Sequence, residues 1–187
     1  MAFTRVEVVP FDPRWHERFV RTREELASVL TDARIEHIGS TSVPGLASKD
    51  TIDVAVGVDD VSSALAPATI AALAQLGFEH VPASFAHNDD HGFLHRIVDG
   101  HRPDHVHVMR RDSDTYAARI LFRDYLRAHP GAAAAYEREK RELAGRFRGE
   151  RDRYVTEKQG VVEAMMIDAR RWAADRREAD CGPSLSG

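Results

Sequence analysis

The chain has 187 residues, 43% hydrophobic and 30% charged, enough for one core and a soluble surface. Its formal net charge of -4 argues against a protein that wraps nucleic acid, which calls for a strongly basic face. No 18-residue apolar run could span a bilayer, the N-terminus lacks a signal-peptide core, and the lone Cys181 excludes an internal disulfide. The expectation is therefore a cytoplasmic protein that does not enter membranes.

Val6 to Val9 reads as a short strand, ended by Pro10 and the turn-like Asp12-Pro13. Trp15, Phe19, Leu26, Val29 and Leu30 recur at helical spacing and predict a helix from Arg14 to Leu30, with Asp12 as its cap. Ile35 to Ile38 is a short strand running into the polar turn GSTSVPG, and the β-branched run Thr51 to Val58 predicts a buried central strand. Ala- and Leu-rich sequence from Val61 to Leu76, stopped by Gly77, predicts a helix. Phe78–Val81, Gly92–Val98 and His105–Met109 are further strands. Three helices follow: one carrying Tyr116, Ile120, Leu121, Tyr125 and Leu126, then roughly Ala132 to Phe147, then Arg151 to Ala174. The organisation expected is an α/β core over residues 1–113, a helical part over 114–176 packed on it as one unit, and a disordered tail over 177–187.

Chemistry concentrates in IEHIGSTSVPGLASKDTIDVAV. Gly39 lets a ligand approach the backbone, and Ser40, Thr41 and Ser42 set hydroxyls beside backbone N–H groups, a means of holding phosphate oxygens. Pro44 suits the first turn of a helix, which would put those hydroxyls at a helix N-terminus. Asp53 opens the next strand, where a carboxylate can hold a divalent cation that bridges phosphates. The same residues would also make a well-formed turn and cap without any ligand.

Seven of the ten histidines fall between residues 80 and 107. In His105-Val106-His107-Val108 both imidazoles share one strand face. His-x-His is metal-ligand spacing and, with Asp53, would suit zinc, iron or manganese; the alternative is two histidines lining a polar pocket. His87, His91, His95 and His101 are assigned to a loop that could act as a lid, and His37 to packing at its strand end. Lys49, Arg96, Arg119 and Arg123 are candidates for neutralising phosphate; Arg119 and Arg123 lie four apart and share a helix face. The C-terminal helices read as a solvated face, with pairs such as Glu137/Arg141 and Glu139/Lys140, over a stripe of Tyr136, Leu143 and Phe147. That surface could also pack against a second copy of the chain, making a homo-oligomer.

The run HIGSTSVPGL, with Lys49, Ile52-Asp53, the N-terminal VPFDPRW and the later LFRDYLRAHP, resembles the GrpB family, also found as a C-terminal extension of some dephospho-CoA kinases. The resemblance extends from about Val6 to about Ala169. It implies a nucleotidyltransferase-like mixed β-sheet flanked by helices, with the C-terminal helices as a hairpin or bundle. The superfamily pattern is Gly-Ser, a spacer, then two carboxylates two residues apart. Ile38-Gly39-Ser40 and Asp53-Val54 fit it, but the second carboxylate position holds Ala55. The implied function is binding of a nucleotide or phosphorylated small molecule, with nucleotidyl transfer assisted by magnesium, manganese or zinc. Alternatives on the same scaffold are a metal- or acid/base-assisted hydrolase, cyclase or lyase, or a non-catalytic ligand-binding module.

Overall fold

The protein is described here from a computed structural model, over residues 6–85 and 88–181. Helix α1 (Arg14–Val29) forms where expected. Asp12 accepts the Arg14 backbone N–H at 2.9 Å, and Trp15, Phe19, Thr22 and Leu26 make the buried stripe. Strand β1 (Arg34–Ile38) leads into a single 3-10 turn, Ser40–Ser42, and β2 (Ile52–Val58) follows. No α-helix starts at Pro44, so the expected helix N-terminus at the hydroxyls is absent from this turn. The predicted helix 61–76 is divided by Pro67, which cannot donate to the preceding turn, into α2 (Val61–Ala64) and α3 (Pro67–Gln75). Val6–Val9 is not a strand; only Val9 bridges, exchanging backbone hydrogen bonds with Ser48 at 2.8 and 3.0 Å.

Strands β3 (Phe78–His80), β4 (His91–Val98) and β5 (His101–Arg110) complete a five-stranded mixed sheet of order β1-β2-β5-β4-β3. Only the central β2/β5 pair is parallel. His91, His95 and His101 are therefore strand residues rather than parts of a loop, while His87 lies outside the described residues.

The strands' alternation gives the sheet two unlike faces. Ile52, Val54, Val56, Val106, Val108, Leu94 and Phe78 point to one side, where α1 and α3 cover them with Trp15, Phe19, Leu26 and Leu73 in the main core. The register places Ile38, Asp53, His105 and His95 abreast on the other side, and Ala55, His107 and Phe93 in the next row. Helix α4 (Asp114–Ala128), capped by the Ser113 hydroxyl, packs over the β1, β2 and β5 part of this polar face. Helices α5 (Pro130–Arg146) and α6 (Arg151–Cys181) pack on α4. Tyr125, Tyr136 and Met166 of this bundle form a second core with Val43 and Leu46, which follow the 3-10 turn. The bundle is thereby fastened directly to the candidate site. Helix α6 takes in the first five residues of the expected tail, 177–181, and the remainder lies outside the described residues. No helix among the described residues is long and apolar enough to cross a membrane.

Candidate functional site

The site is built where β1 ends. Gly39 has φ 69° and ψ -174°, a backbone region open almost only to glycine. A Cβ there would also lie 2.9 Å from Asp53 Cβ and run into the Asp53 carboxylate. Two independent constraints thus demand glycine, and both come from seating the turn against Asp53. The three hydroxyls of the turn go separate ways. Thr41 Oγ1 meets His37 Nε2 at 3.1 Å on the core side, and Ser42 Oγ donates to the Gly39 carbonyl at 2.6 Å. Ser40 Oγ accepts from Lys140 Nζ at 2.9 Å. Thr41 and Ser42 hold the turn in shape, and Arg127 adds to this by donating twice to the Ser42 carbonyl, at 3.0 and 2.7 Å.

Asp53 keeps 31% of its side chain exposed and lies 3.3 Å from His105 Nδ1 through Oδ1. Burial works to raise its pKa, but the His105 hydrogen bond and charge, followed by Lys158 and His107, outweigh it and hold the carboxyl well below the usual range. His107, beside it on β5, turns its Nδ1 to His91 Nε2 at 3.0 Å. Its pKa is pushed well below the usual histidine value, first by burial and then by the charge of Arg119. Arg119 reaches in from α4: its charge bears on Asp53, and its Nε is buried without a hydrogen-bond partner. Asp53 and His105 do come together as the sequence suggests, but His107 is directed at a second histidine. Among the described residues no three His, Cys, Asp or Glu side chains are grouped to hold a metal ion.

The C-terminal helices contribute what sequence reading passed over. Lys140 of α5, read as a solvated partner of Glu139, is instead buried beneath the 3-10 turn. It donates to Ser40 Oγ and the Ala47 carbonyl and lies 4.8 Å from the Tyr136 ring centroid. Burial, reinforced by the charge of Lys158, brings its pKa down to about 7. Lys49 is lowered to about 8, again by burial first and Lys158 second. Lys158 of α6 is raised, first by its electrostatic interaction with Tyr136, against the cost of burial and with further help from Asp53 and Tyr154. Three lysines therefore share a region with one central carboxylate. The helical spacing of Tyr136, Lys140 and Ala144, and of Tyr154 and Lys158, was the available signal: each lysine stands four residues from a buried tyrosine, and Lys140 is itself buried.

Two predicted phosphate ligands lie elsewhere. Arg96 pairs in register with Asp104, so it points to the opposite face of the sheet. There it binds Glu25 and Asp104 and covers the Phe78 ring. Arg123 is committed to Glu36 at 2.7 Å, Asp124 at 2.7 Å and the His37 carbonyl at 3.1 Å, and ties α4 to β1. His37 stacks on Phe19 at 4.6 Å, and burial lowers its pKa to about 3. Asp50 accepts from Trp15 Nε1 at 2.8 Å and from Arg18, apart from Asp53.

The GrpB protein family matches residues 5–167. The chain belongs to the GrpB family. It is 37% identical over 171 residues to the UPF0157 protein SCO7215 of Streptomyces coelicolor, a match covering 89% of this chain and 84% of that one. It is 29% identical over 182 residues to the UPF0157 protein YqkA of Bacillus subtilis, covering 94% of this chain but only 50% of YqkA, so it spans about half that relative's length. A dephospho-CoA kinase of Mycolicibacterium paratuberculosis is 32% identical over 199 residues, covering 94% of this chain and 47% of the kinase. The crystal structure of conserved protein GrpB from Enterococcus faecalis superposes with a TM-score of 0.79 at 28% identity, over 89% of this chain and 99% of that one.

Proposed function

We propose that this GrpB-family chain binds a phosphate-bearing small molecule, nucleotides among them, where Gly39 and Asp53 meet the C-terminal helices. The observation that carries this reading is the gathering of Lys49, Lys140 and Lys158 around the single carboxylate of Asp53. Ammonium groups whose charge burial disfavours, as at Lys49 and Lys140, cost folding free energy unless an anion joins them. A multiply charged phosphate group satisfies that need, and Arg119 adds a planar guanidinium suited to its oxygens. As an ammonium, Lys140 can only donate, so in that form it engages a lone pair of Ser40 Oγ and leaves the serine hydroxyl proton free to point to an anion. The similarity to dephospho-CoA kinases, proteins whose name implies a nucleotide-type substrate, agrees with this ligand class.

Nucleotidyl transfer is the reaction that the Gly39-Ser40 and Asp53 arrangement resembles. A second reading rests on the contact of Asp53 with His105 Nδ1. A carboxylate that fixes one imidazole nitrogen orients the other for proton transfer, as a hydrolase, cyclase or lyase acting on a phosphorylated substrate requires.

Calorimetric titration with pyrophosphate, ATP and ribose 5-phosphate tests the proposal. Saturable binding that weakens in the Lys158→Gln variant is expected, and absence of binding by all three would refute it. Phosphorus NMR of ATP mixed with a hydroxyl-bearing acceptor, ribose 5-phosphate, then separates the reactions: a nucleotidyl group joined to the acceptor oxygen with release of pyrophosphate marks nucleotidyl transfer, hydrolysis or ring closure of a ligand without joining to the acceptor marks acid–base chemistry, and unchanged ligands mark a binding module.

A further inference from the structure

We infer that the cation positions beside Asp53 are filled by the chain's own Lys158 and Arg119, so that this site holds phosphate without a divalent metal ion. The inference rests on the phosphate-binding reading above and departs from the metal chemistry that the fold resemblance implies.

A two-metal site for phosphate chemistry needs bridging carboxylates on one strand face. The residue that shares the Asp53 face two positions on is Ala55, which is fully buried and packed with Ile38, Met109 and Tyr116. That position is committed to apolar packing and has no room for a charged ligand. Of the remaining potential donors, His105 engages Asp53 Oδ1 through Nδ1 at 3.3 Å and His107 engages His91 Nε2 through Nδ1 at 3.0 Å, so each keeps a single ring nitrogen, Nε2, for any other partner. Glu36, the next carboxylate on this face of β1, is bound by Arg123 at 2.7 Å.

Where a metal would bring positive charge, the protein supplies it. Arg119 lies on α4, which packs on β1, β2 and β5, one turn from Tyr116, which packs with Ala55, and one turn from Arg123, which binds Glu36. Its charge acts on Asp53, and so does that of Lys158 on α6. Arg119 Nε is buried with no acceptor, an arrangement that leaves a donor unsatisfied until an anion arrives. Two fixed positive charges beside a lone carboxylate also repel an incoming dication. Asp53 then serves to orient His105, and it is not a ligand to metal.

The test is pyrophosphate binding by calorimetry, after exhaustive chelation and again with added magnesium, for the wild type and for Arg119→Gln, Lys158→Gln and Asp53→Asn. The expected affinity is the same in chelator and in magnesium. Arg119→Gln weakens it by about tenfold, the loss of one charge-assisted contact, and magnesium does not restore it. Asp53→Asn removes a negative charge from the pocket and leaves binding equal or tighter, the opposite of what removing a metal ligand does. Lys158 is held among Tyr136 and Tyr154, so a misfolded Lys158→Gln variant is recognised by its melting curve, and the Arg119 and Asp53 variants then decide. Binding that requires magnesium, or a large loss in Asp53→Asn, overturns the inference and leaves the phosphate-binding reading standing. Absence of binding in every buffer overturns both.

Discussion

Replacing Lys140 by methionine should stabilise the ligand-free protein at pH 7 and destabilise it at pH 9.5. In the fold this amine titrates at about 7 against the ordinary 10.5. The unfolded chain therefore binds more protons between those values, and stability rises with pH across that window. At pH 7 the difference costs the folded chain about 4 kcal/mol, and at pH 9.5 only ~1 kcal/mol. Against this, the substitution removes the hydrogen bonds to Ser40 Oγ, at 2.9 Å, and to the Ala47 carbonyl. These are worth about 1 kcal/mol each, so roughly 2 kcal/mol together. The balance is a gain of about 2 kcal/mol at pH 7 and a loss of about 1 kcal/mol at pH 9.5. Urea unfolding in phosphate-free buffer should show a midpoint raised by roughly 1 M at the lower pH, given ordinary denaturant slopes. The same variant should bind pyrophosphate more weakly, so stability and binding move in opposite directions, as they do where a site stores strain for its ligand. Equal destabilisation at both pH values would refute the account of Lys140 as a buried cation awaiting an anion.

Gly39→Ala should cost about 3 kcal/mol or more, combining a left-handed backbone with a clash against Asp53, whose Cβ would lie 2.9 Å away. A loss below about 1 kcal/mol in urea unfolding would show that the turn relaxes away from Asp53. His37 is buried neutral with its pKa lowered to about 3, so its contribution is intact above pH 6.5 and is lost as pH falls towards 3. His37→Gln should flatten the fall in stability between pH 6.5 and 4; parallel curves for variant and wild type would assign the acid sensitivity to other groups. Ala55→Asp, placing a carboxylate among Ile38, Met109 and Tyr116, should lower stability by several kcal/mol. A variant as stable as the wild type would mean that this position is open to solvent or to a cation.

Much of the architecture is legible along the chain, because local patterns carry it. The spacing of Trp15, Phe19 and Leu26 gives α1, the β-branched run after Thr51 gives β2, and the alternation of His105, Val106, His107 and Val108 separates the two faces of β5. The Gly39-Ser40 turn and Asp53 are likewise readable as a pair, and the fold seats one against the other. Reading fails where a side chain's direction depends on a distant partner. Arg96 lies near the motifs in sequence, but its register opposite Asp104 sends it to the α1 side of the sheet. Arg123 shares a helix face with Arg119, but Glu36 of β1 takes its charge.

The amino-acid order by itself determined most of the helices and strands and named Gly39 and Asp53 as a pair, since periodicity and backbone preference act over a few residues. Only the tertiary structure decided which charges meet there. Lys140 lies 100 residues beyond Ser40, and Lys158 comes from yet another helix. Their convergence on Asp53 follows from burying Tyr125, Tyr136 and Met166 against Val43 and Leu46. Apolar packing of the C-terminal helices thus carries Lys140 under the turn and brings the charges of Lys140 and Lys158 to bear on Asp53.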